Sequence, residues 1–362
     1  MSYDGSDWMS SRIERLQARF DQLKIDAFLV SSEGNLHYLT GMADMAGDGY
    51  LLVLTKSVFL ITDARYQTAF ADQFDADHLI ITRDYLGAVC DVIAQHQTGV
   101  LGFEDGLPYT AYSYLDENLV SDLVALPNVV EQIRMVKTSD ELDKLRATAK
   151  LADAGFEYVT SIVRPGMREI DVSNLLDAFM RTHGASGPSF TTIVLGGARA
   201  ALPHGTASTA LLTAGQLVTL DFGYFLAGYT SDMTRTFALG QPDDKLATAY
   251  DVVKTAQQAV VDQVKPGAVS ADLDQVGRQL ITAAGYGEAF NHGMGHGIGL
   301  EIHESPLIST HGTEKLVSNS VVTVEPGVYF PGLGGMRIED DVLVTETGHE
   351  RLTTATRDLL IL

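Results

Sequence analysis

Short apolar runs at Ala27–Val30, Tyr50–Leu54, Val58–Ile61 and Leu79–Ile81 alternate with helical stretches over the first ~130 residues, a pattern that predicts an α/β domain. A boundary is expected between Pro127 and Thr138, where a long helix begins. Thr138 and Glu141 have capping-box spacing, so hydroxyl and carboxylate would each satisfy an otherwise orphaned backbone N–H. Behind that cap, Leu142, Leu145, Ala149, Ala152, Phe156, Val159 and Val163 recur at helical spacing and form one apolar stripe, which ends at Arg164-Pro165-Gly166. Two domains are therefore expected, residues 1–133 and 134–362.

The second domain reads as doubled. Another helix, through Leu246, Tyr250, Val253, Val260 and Val264, ends at Lys265-Pro266-Gly267, 101 residues further along (266 minus 165). The next helices match at the same offset, with Asp171 answering Asp272, Phe179 answering Leu280 and Gly184 answering Gly285. Each half then continues into segments rich in Gly, Val and Thr. A duplicated helix-helix-sheet unit would place a site between its halves. Pro-Gly is a common helix terminator, so coincidence is the alternative.

Each half also carries a hairpin pattern with paired acids. Val218 to Gly223 and Tyr229 to Thr234 flank a short loop, and an index sum of 453 would set Asp221 directly opposite Asp232. In the second half, Glu325 and Glu339 flank Gly332-Leu333-Gly334-Gly335 with an index sum of 664. Opposed like charges repel unless a cation lies between them. The glycine-rich segment Asn291 to Glu304 lies between these hairpins in sequence, and its turns would present His292, His296 and His303 on loop and strand. Singly, a strand aspartate is usually a solvated charge and a lone histidine a structural residue. Four carboxylates with an imidazole instead suit hard or borderline divalent ions such as Mn²⁺, and bridging carboxylates suit a pair of ions about 3.5–4 Å apart.

Charge and cysteine content narrow the partners. The 362 residues include 25 Lys and Arg against 47 Asp and Glu, a net charge of −22, which disfavours nucleic acid and anionic lipid surfaces. The single cysteine, Cys90, cannot pair within the chain and suits a reducing compartment. Met1 to Ser10 has no apolar run, and no stretch approaches the roughly 20 apolar residues of a membrane helix. A cytoplasmic location without membrane attachment is expected.

Five blocks then occur in an informative order. They are Leu220-Asp221-Phe222-Gly223, Thr230-Ser231-Asp232-Met233-Thr234-Arg235-Thr236, Gly295-His296-Gly297-Ile298-Gly299 with His303-Glu304, Val324-Glu325-Pro326-Gly327-Val328-Tyr329, and Arg337-Ile338-Glu339-Asp340-Asp341. In these the chain resembles the pita-bread metallopeptidases, which include methionine aminopeptidase, aminopeptidase P and prolidase. The resemblance implies an α+β architecture, in which a C-terminal pita-bread fold with pseudo-twofold duplicated halves follows a smaller α/β creatinase-like N-terminal domain. It further implies that Asp221, Asp232, His296, Glu325 and Glu339 bind two divalent metal ions, Mn²⁺ first with Co²⁺ or Zn²⁺ as alternatives, and that Asp232 and Glu339 bridge them. Glu325, His204 and His303 take the catalytic roles, and His292, Arg337 and Tyr329 match substrate-pocket positions. Arg337 has a second reading, as a partner of Asp340 or Asp341.

The implied reaction is hydrolysis by a metal-bridging hydroxide, with Glu325 moving the proton. Asn35-Leu36-His37-Tyr38-Leu39-Thr40-Gly41 and Thr62-Asp63-Ala64-Arg65-Tyr66 look like blocks of the proline-specific members, whose N-terminal domain also helps form homodimers. The expected activity is release of the residue ahead of proline from peptides, as in aminopeptidase P of bacterial type. The alternative is a prolidase acting on Xaa-Pro dipeptides. A non-catalytic binding module and a creatinase-like hydrolase are the remaining readings, and the complete ligand set argues against both.

Overall fold

The computed structural model describes residues 6–362 apart from 44 and 46. Residues 1–5, part of the N-terminal segment discussed above, lie outside the described residues. The chain divides into two compact units, Met1–Arg134 and Met135–Leu362.

In the first unit, β1 (Ala27–Val30), β2 (Gly49–Leu54), β3 (Val58–Thr62), β4 (Leu79–Ile81), β5 (Val100–Glu104) and β6 (Asp122–Leu126) form one mixed sheet in the order β4-β3-β2-β1-β5-β6. Helices supply the remaining core, and Val89, Val92 and Ile93 from Tyr85–Gln95 pack on Leu29, Leu52 and Ile61. Burying such side chains stabilises each by roughly 1.5–3 kcal/mol, enough to hold a six-stranded sheet covered by short helices.

The second unit is the duplicated one. Its second and fourth long helices, Glu169–Thr182 and Ser270–Ala283, each have 14 residues, and their ends are offset by 101. The turns before them match in detail. Gly166 and Gly267 both adopt positive φ, +93° and +82°, and donate to Leu212 O at 2.7 Å and Leu316 O at 2.8 Å. Glycine suits these left-handed positions because it has no Cβ to clash. The first helix, Ser139–Ile162, starts on the expected capping box, and Glu141 also accepts from the buried Tyr229 hydroxyl at 2.7 Å.

Two sets of strands follow. In the first half are β7 (Gly187–Pro188), β8 (Ile193–Gly196), β9 (Gln216–Phe222), β10 (Tyr224–Leu226), β11 (Tyr229–Thr230) and β12 (Met233–Leu239), paired as β12-β9-β8 and β11-β10-β7. In the second are β13 (Gly295–Gly297), β14 (Glu304–Ile308), β15 (Val321–Val324), β16 (Gly327–Phe330), β17 (Gly334–Arg337), β18 (Asp340–Val344) and β19 (His349–Arg351), paired as β14-β13-β15-β18-β19 with a separate β16-β17 hairpin. Each half has its own core. Phe156, Val172, Leu176, Leu220 and Phe237 belong to the first, and Tyr250, Val253, Leu273, Val322 and Ile338 to the second.

The hairpin registers decide where the acids point. In the second half Gly327 pairs with Arg337 and Val324 with Asp340, so the index sum is 664 as read from the sequence, and Glu325 stands level with Glu339. In the first half Thr234, and not Asp232, lies opposite Asp221, with an index sum of 455 instead of 453. The cause is the turn. Ala227 and Gly228 both take positive φ, +51° and +81°, as a two-residue primed turn requires, which moves the hairpin centre by one position. Continuing that register sets Asp232 level with Gly223, where an added Cβ would lie 2.1 Å from Ser231 O. The slip is by two residues, so both aspartates remain on one face of the hairpin.

Replacing Thr138 with Ala should lower stability by about 1 kcal/mol through loss of the cap. Glu141→Ala should lower it further, because it also removes the acceptor of the Tyr229 hydroxyl's hydrogen bond. Urea unfolding monitored by circular dichroism measures both, and equal effects would contradict the double role of Glu141.

Candidate active site

Both hairpins and the glycine-rich segment border a cavity of about 430 Å³ in the second unit. Its wall contains Asp221, Asp232, His296, Glu325 and Glu339, together with His204, His292, His303 and Arg337. Asp221 is the penultimate residue of β9, Asp232 immediately precedes β12, and Glu339 lies between β17 and β18. Glu325 follows β15, and its N–H donates to Met294 O at 2.8 Å. His296 is the middle residue of β13, where its own N–H donates to Thr323 Oγ1 at 3.0 Å.

One donor atom from each of Asp232, His296 and Glu339 lies within 4.8 Å of the others. His296 Nε2 is 3.6 Å from Asp232 Oδ2 and 3.5 Å from Glu325 Oε1. Its Nδ1 faces Gly297 O at 3.0 Å, and a carbonyl can only accept, so the ring proton sits on Nδ1 and the Nε2 lone pair points at carboxylate oxygens. Burial lowers the pKa of this imidazole and keeps it neutral. Lone pair against carboxylate is repulsive unless a cation stands between them.

The carboxylates show the same need. Asp221 Oδ1 and Asp232 Oδ1 are buried without a hydrogen-bond partner among the described residues. The pKa of Asp232 is raised well above the ordinary range, first by burial and then by Glu339 and Asp221. Glu339 is raised by burial and by Glu325, and Glu325 is pushed up to about 7 chiefly by burial. Unsatisfied oxygens, an unprotonated imidazole nitrogen and mutually repelling acids together fit a divalent-cation site.

Arg337 is the positive charge supplied by the wall itself. Its Nη2 donates to Asp221 Oδ2, so it pairs with neither Asp340 nor Asp341, the partners suggested by adjacency. Alternation along the chain explains the difference. Asp340 faces the other way and is paired with Arg235 at 2.6 Å and Arg357 at 3.1 Å, while Asp341 accepts from Asp232 N at 3.1 Å. Arg337 Nη1 also donates to the Tyr329 hydroxyl at 2.5 Å, and Tyr329 lies 2.9 Å from His292 Nε2. His292 Nδ1 faces Gly293 O at 2.8 Å, which fixes the proton order from Arg337 through Tyr329 and His292 to that carbonyl. Burial and the Arg337 charge lower the pKa of His292 to about 4. Tyr329 thus stands behind the cavity wall, holding Arg337 and His292 apart.

His303 packs edge-on against His296 with ring centroids 4.5 Å apart, and His204 reaches the cavity from the first half. Several wall residues carried no signal in sequence. Phe190, Ile193, Ile302 and Leu307 line the apolar part, and single apolar residues in loops and strands resemble ordinary packing. Thr234 donates to Glu339 Oε2 at 2.6 Å and accepts from Arg337 Nε at 3.0 Å. Its position two residues beyond Asp232, on the same strand face, was the available clue.

The fold and this wall fit a hydrolase that works with divalent metal ions, with the clustered carboxylates as candidate donors. The chain belongs to metallopeptidase family M24, whose model matches residues 143–346, and the creatinase/prolidase N-terminal domain matches residues 12–136. It is 34% identical to an Xaa-Pro dipeptidase of Pyrococcus furiosus, over 97% of this chain and 100% of that one. An Xaa-Pro dipeptidase structure from Bacillus anthracis shares 41% identity with a TM-score of 0.93, covering 98% of this chain and 100% of that chain. An X-Pro aminopeptidase structure from Thermotoga maritima shares 32% identity with a TM-score of 0.89, covering 97% and 99%. Among the described residues no helix is long and apolar enough to cross a membrane.

The raised carboxyl pKa values have a defined consequence. Each raised acid binds more protons in the native state than in the unfolded chain, so the stability it contributes is present at low pH and lost as pH rises through its native value. For Glu325 that window runs from about 4.5 to about 7. Metal-free protein should therefore lose stability across that range, and Mn²⁺ should raise the melting temperature more at about pH 8 than at about pH 5. Thermal unfolding with chelator or Mn²⁺ measures this. A larger metal effect at the lower pH would contradict it.

Proposed function

We propose that the protein hydrolyses the peptide bond ahead of proline, acting on Xaa-Pro dipeptides as a prolidase, with two divalent cations held by Asp221, Asp232, His296, Glu325 and Glu339. The observation that carries this reading is full-length likeness to Xaa-Pro dipeptidases, combined with the presence of all five donors on one cavity wall. The sequence blocks alone lean towards aminopeptidase P; the relatives favour the dipeptidase. The likeness to an X-Pro aminopeptidase structure sustains the second reading, in which longer peptides are cut at the same bond. Mn²⁺ is the assigned metal, since four carboxylates and one imidazole suit it better than softer ions. A homodimer in a reducing, cytoplasmic setting completes this reading, the former from the family resemblance and the latter from the single unpaired Cys90.

When bound, the cations polarise the scissile carbonyl and make a water at the site more acidic. The protein side of the reaction follows from its own groups. Asp232 and Glu339, one from each half, would hold the cations together with His296. Glu325 takes a proton from the attacking water on a carboxylate oxygen and passes it to the proline nitrogen. That nitrogen carries no hydrogen in the peptide, so bond cleavage depends on its protonation. His303 donates to the carbonyl oxygen as negative charge develops there, and His204 holds the substrate from the opposite half. Arg337, braced by Tyr329, orients Asp221, while His292 lines the substrate side.

Mn²⁺-loaded protein should release alanine from Ala-Pro and leave Ala-Pro-Ala intact in a mass-spectrometric assay. Release from the tripeptide would support the second reading, and inertness towards both would overturn the function. Glu325→Ala should abolish turnover and reduce bound metal, whereas His204→Ala should lower kcat by about 10²-fold while metal content by plasma mass spectrometry stays at wild-type level. An active Glu325→Ala protein with two ions bound would contradict the assigned proton path.

A further inference from the structure

Lys137 lies three residues after the first unit ends, and its ammonium group is buried, with 1% of the side chain exposed. Its partner is Glu304, whose side chain is 6% exposed, at 3.1 Å. Taking two such charges out of water costs several kcal/mol per ion, so a merely stabilising pair is a poor explanation. What the pair touches is more informative. Glu304 Oε1 accepts from Leu300 N at 2.9 Å and Glu301 N at 3.2 Å, which closes the loop running from β13 to β14. Gly299 fits inside that closure because a Cβ there would lie 2.7 Å from either carboxylate oxygen. The same loop is tied to the first half, where Thr230 N donates to Gly299 O at 2.9 Å two residues before Asp232. Lys137 is itself fixed by its own N–H, which donates to Asn319 O at 2.9 Å.

The residue immediately before Glu304 is His303, whose ring meets His296 at 4.5 Å and faces the cavity. A carboxylate held at one place by three donors fixes the backbone that carries this imidazole. We infer that Lys137 is a positioning residue, which acts through Glu304 to set the ring of His303 over the reacting carbonyl. The inference rests on the function proposed above for the role of His303, but not for the geometry. Removing one charge would leave the other buried and uncompensated, so the informative variant is Lys137→Met/Glu304→Gln, which deletes the tether and keeps an oxygen to close the loop.

Two measurements test the inference. In metal-free protein labelled with ¹³C-histidine, the imidazole correlation assigned to His303 by its loss in His303→Ala should move in the double variant. It should move less in Lys137→Arg, which keeps the ion pair and changes its length. This arm needs no activity, so it remains decisive even if wild-type protein fails to cleave Ala-Pro, the outcome that would sink the proposed function alone. In the active enzyme, the double variant should lower kcat about tenfold with KM nearly unchanged, and the same change in a His303→Ala background should cost less than about twofold. An unmoved His303 correlation, or equal losses in both backgrounds, would overturn the inference.

Discussion

A carboxylate removed from water must find a counter-charge, a donor or a proton, and the second unit brings four of them to one cavity with too few of the first two. Asp221, Asp232 and Glu339 are each at most 6% exposed, and among the described residues Arg337 is the only guanidinium in the wall. The metal-free protein meets the constraint by raising pKa values, so that protons take the place of cations. Other parts of the unit keep that solution local. Asp340, next to Glu339, would be raised by burial alone, but Arg235 and Arg357 more than offset this and hold it below its ordinary value. Adjacent acids thus have opposite roles, one fully neutralised by protein and one left for a ligand.

The duplication explains how such a site can be assembled at all. Each half contributes two acids from its own hairpin, and each has its own core, so neither needs to sacrifice packing to present charge. The halves are then stitched where the acids meet. Glu339 N donates to Thr234 O at 3.1 Å, the Thr234 hydroxyl donates back to Glu339, and Arg235 reaches across to Asp340. These bonds are short-range and directional, whereas the repulsion they oppose is spread over the whole cluster. A rigid seam is what allows repelling groups to stay in place when no cation holds them.

Sequence carried much of this and missed specific things for specific reasons. The 101-residue offset was legible because helix lengths, terminating glycines and their backbone bonds were all retained together. The second hairpin was legible because its register places Gly332, with φ +81°, at the turn. The first was misjudged by two positions, since nothing in composition says that Ala227 adopts positive φ. In the first unit, β5 and β6 gave weak signals: Gly102 interrupts one, where a Cβ would crowd Ile25, Leu126 and Phe28, and the other is half-exposed. The partner of Arg337 could not be read from neighbours in sequence, because strand alternation turns Asp340 away. Lys137 carries no signal in the sequence, because a lone lysine after a linker has the pattern of a surface residue, whereas its side chain is 1% exposed.

The charge of the cavity also constrains what it accepts. Leaving the imidazoles aside, four ionised carboxylates and one guanidinium sum to a net of −3. One divalent cation would still leave an excess of negative charge, and a neutral amide bond offers nothing to offset it. Two divalent cations bring the wall to +1, which favours a substrate whose carbonyl oxygen gains negative charge as the bond breaks. The same count disfavours tight binding of the product amine near the metals, since a protonated amine would add to the positive side. A wall built around excess carboxylate is therefore best understood as complementary to the transition state of hydrolysis, since two divalent cations would balance its four acids and Arg337 supplies the surplus positive charge.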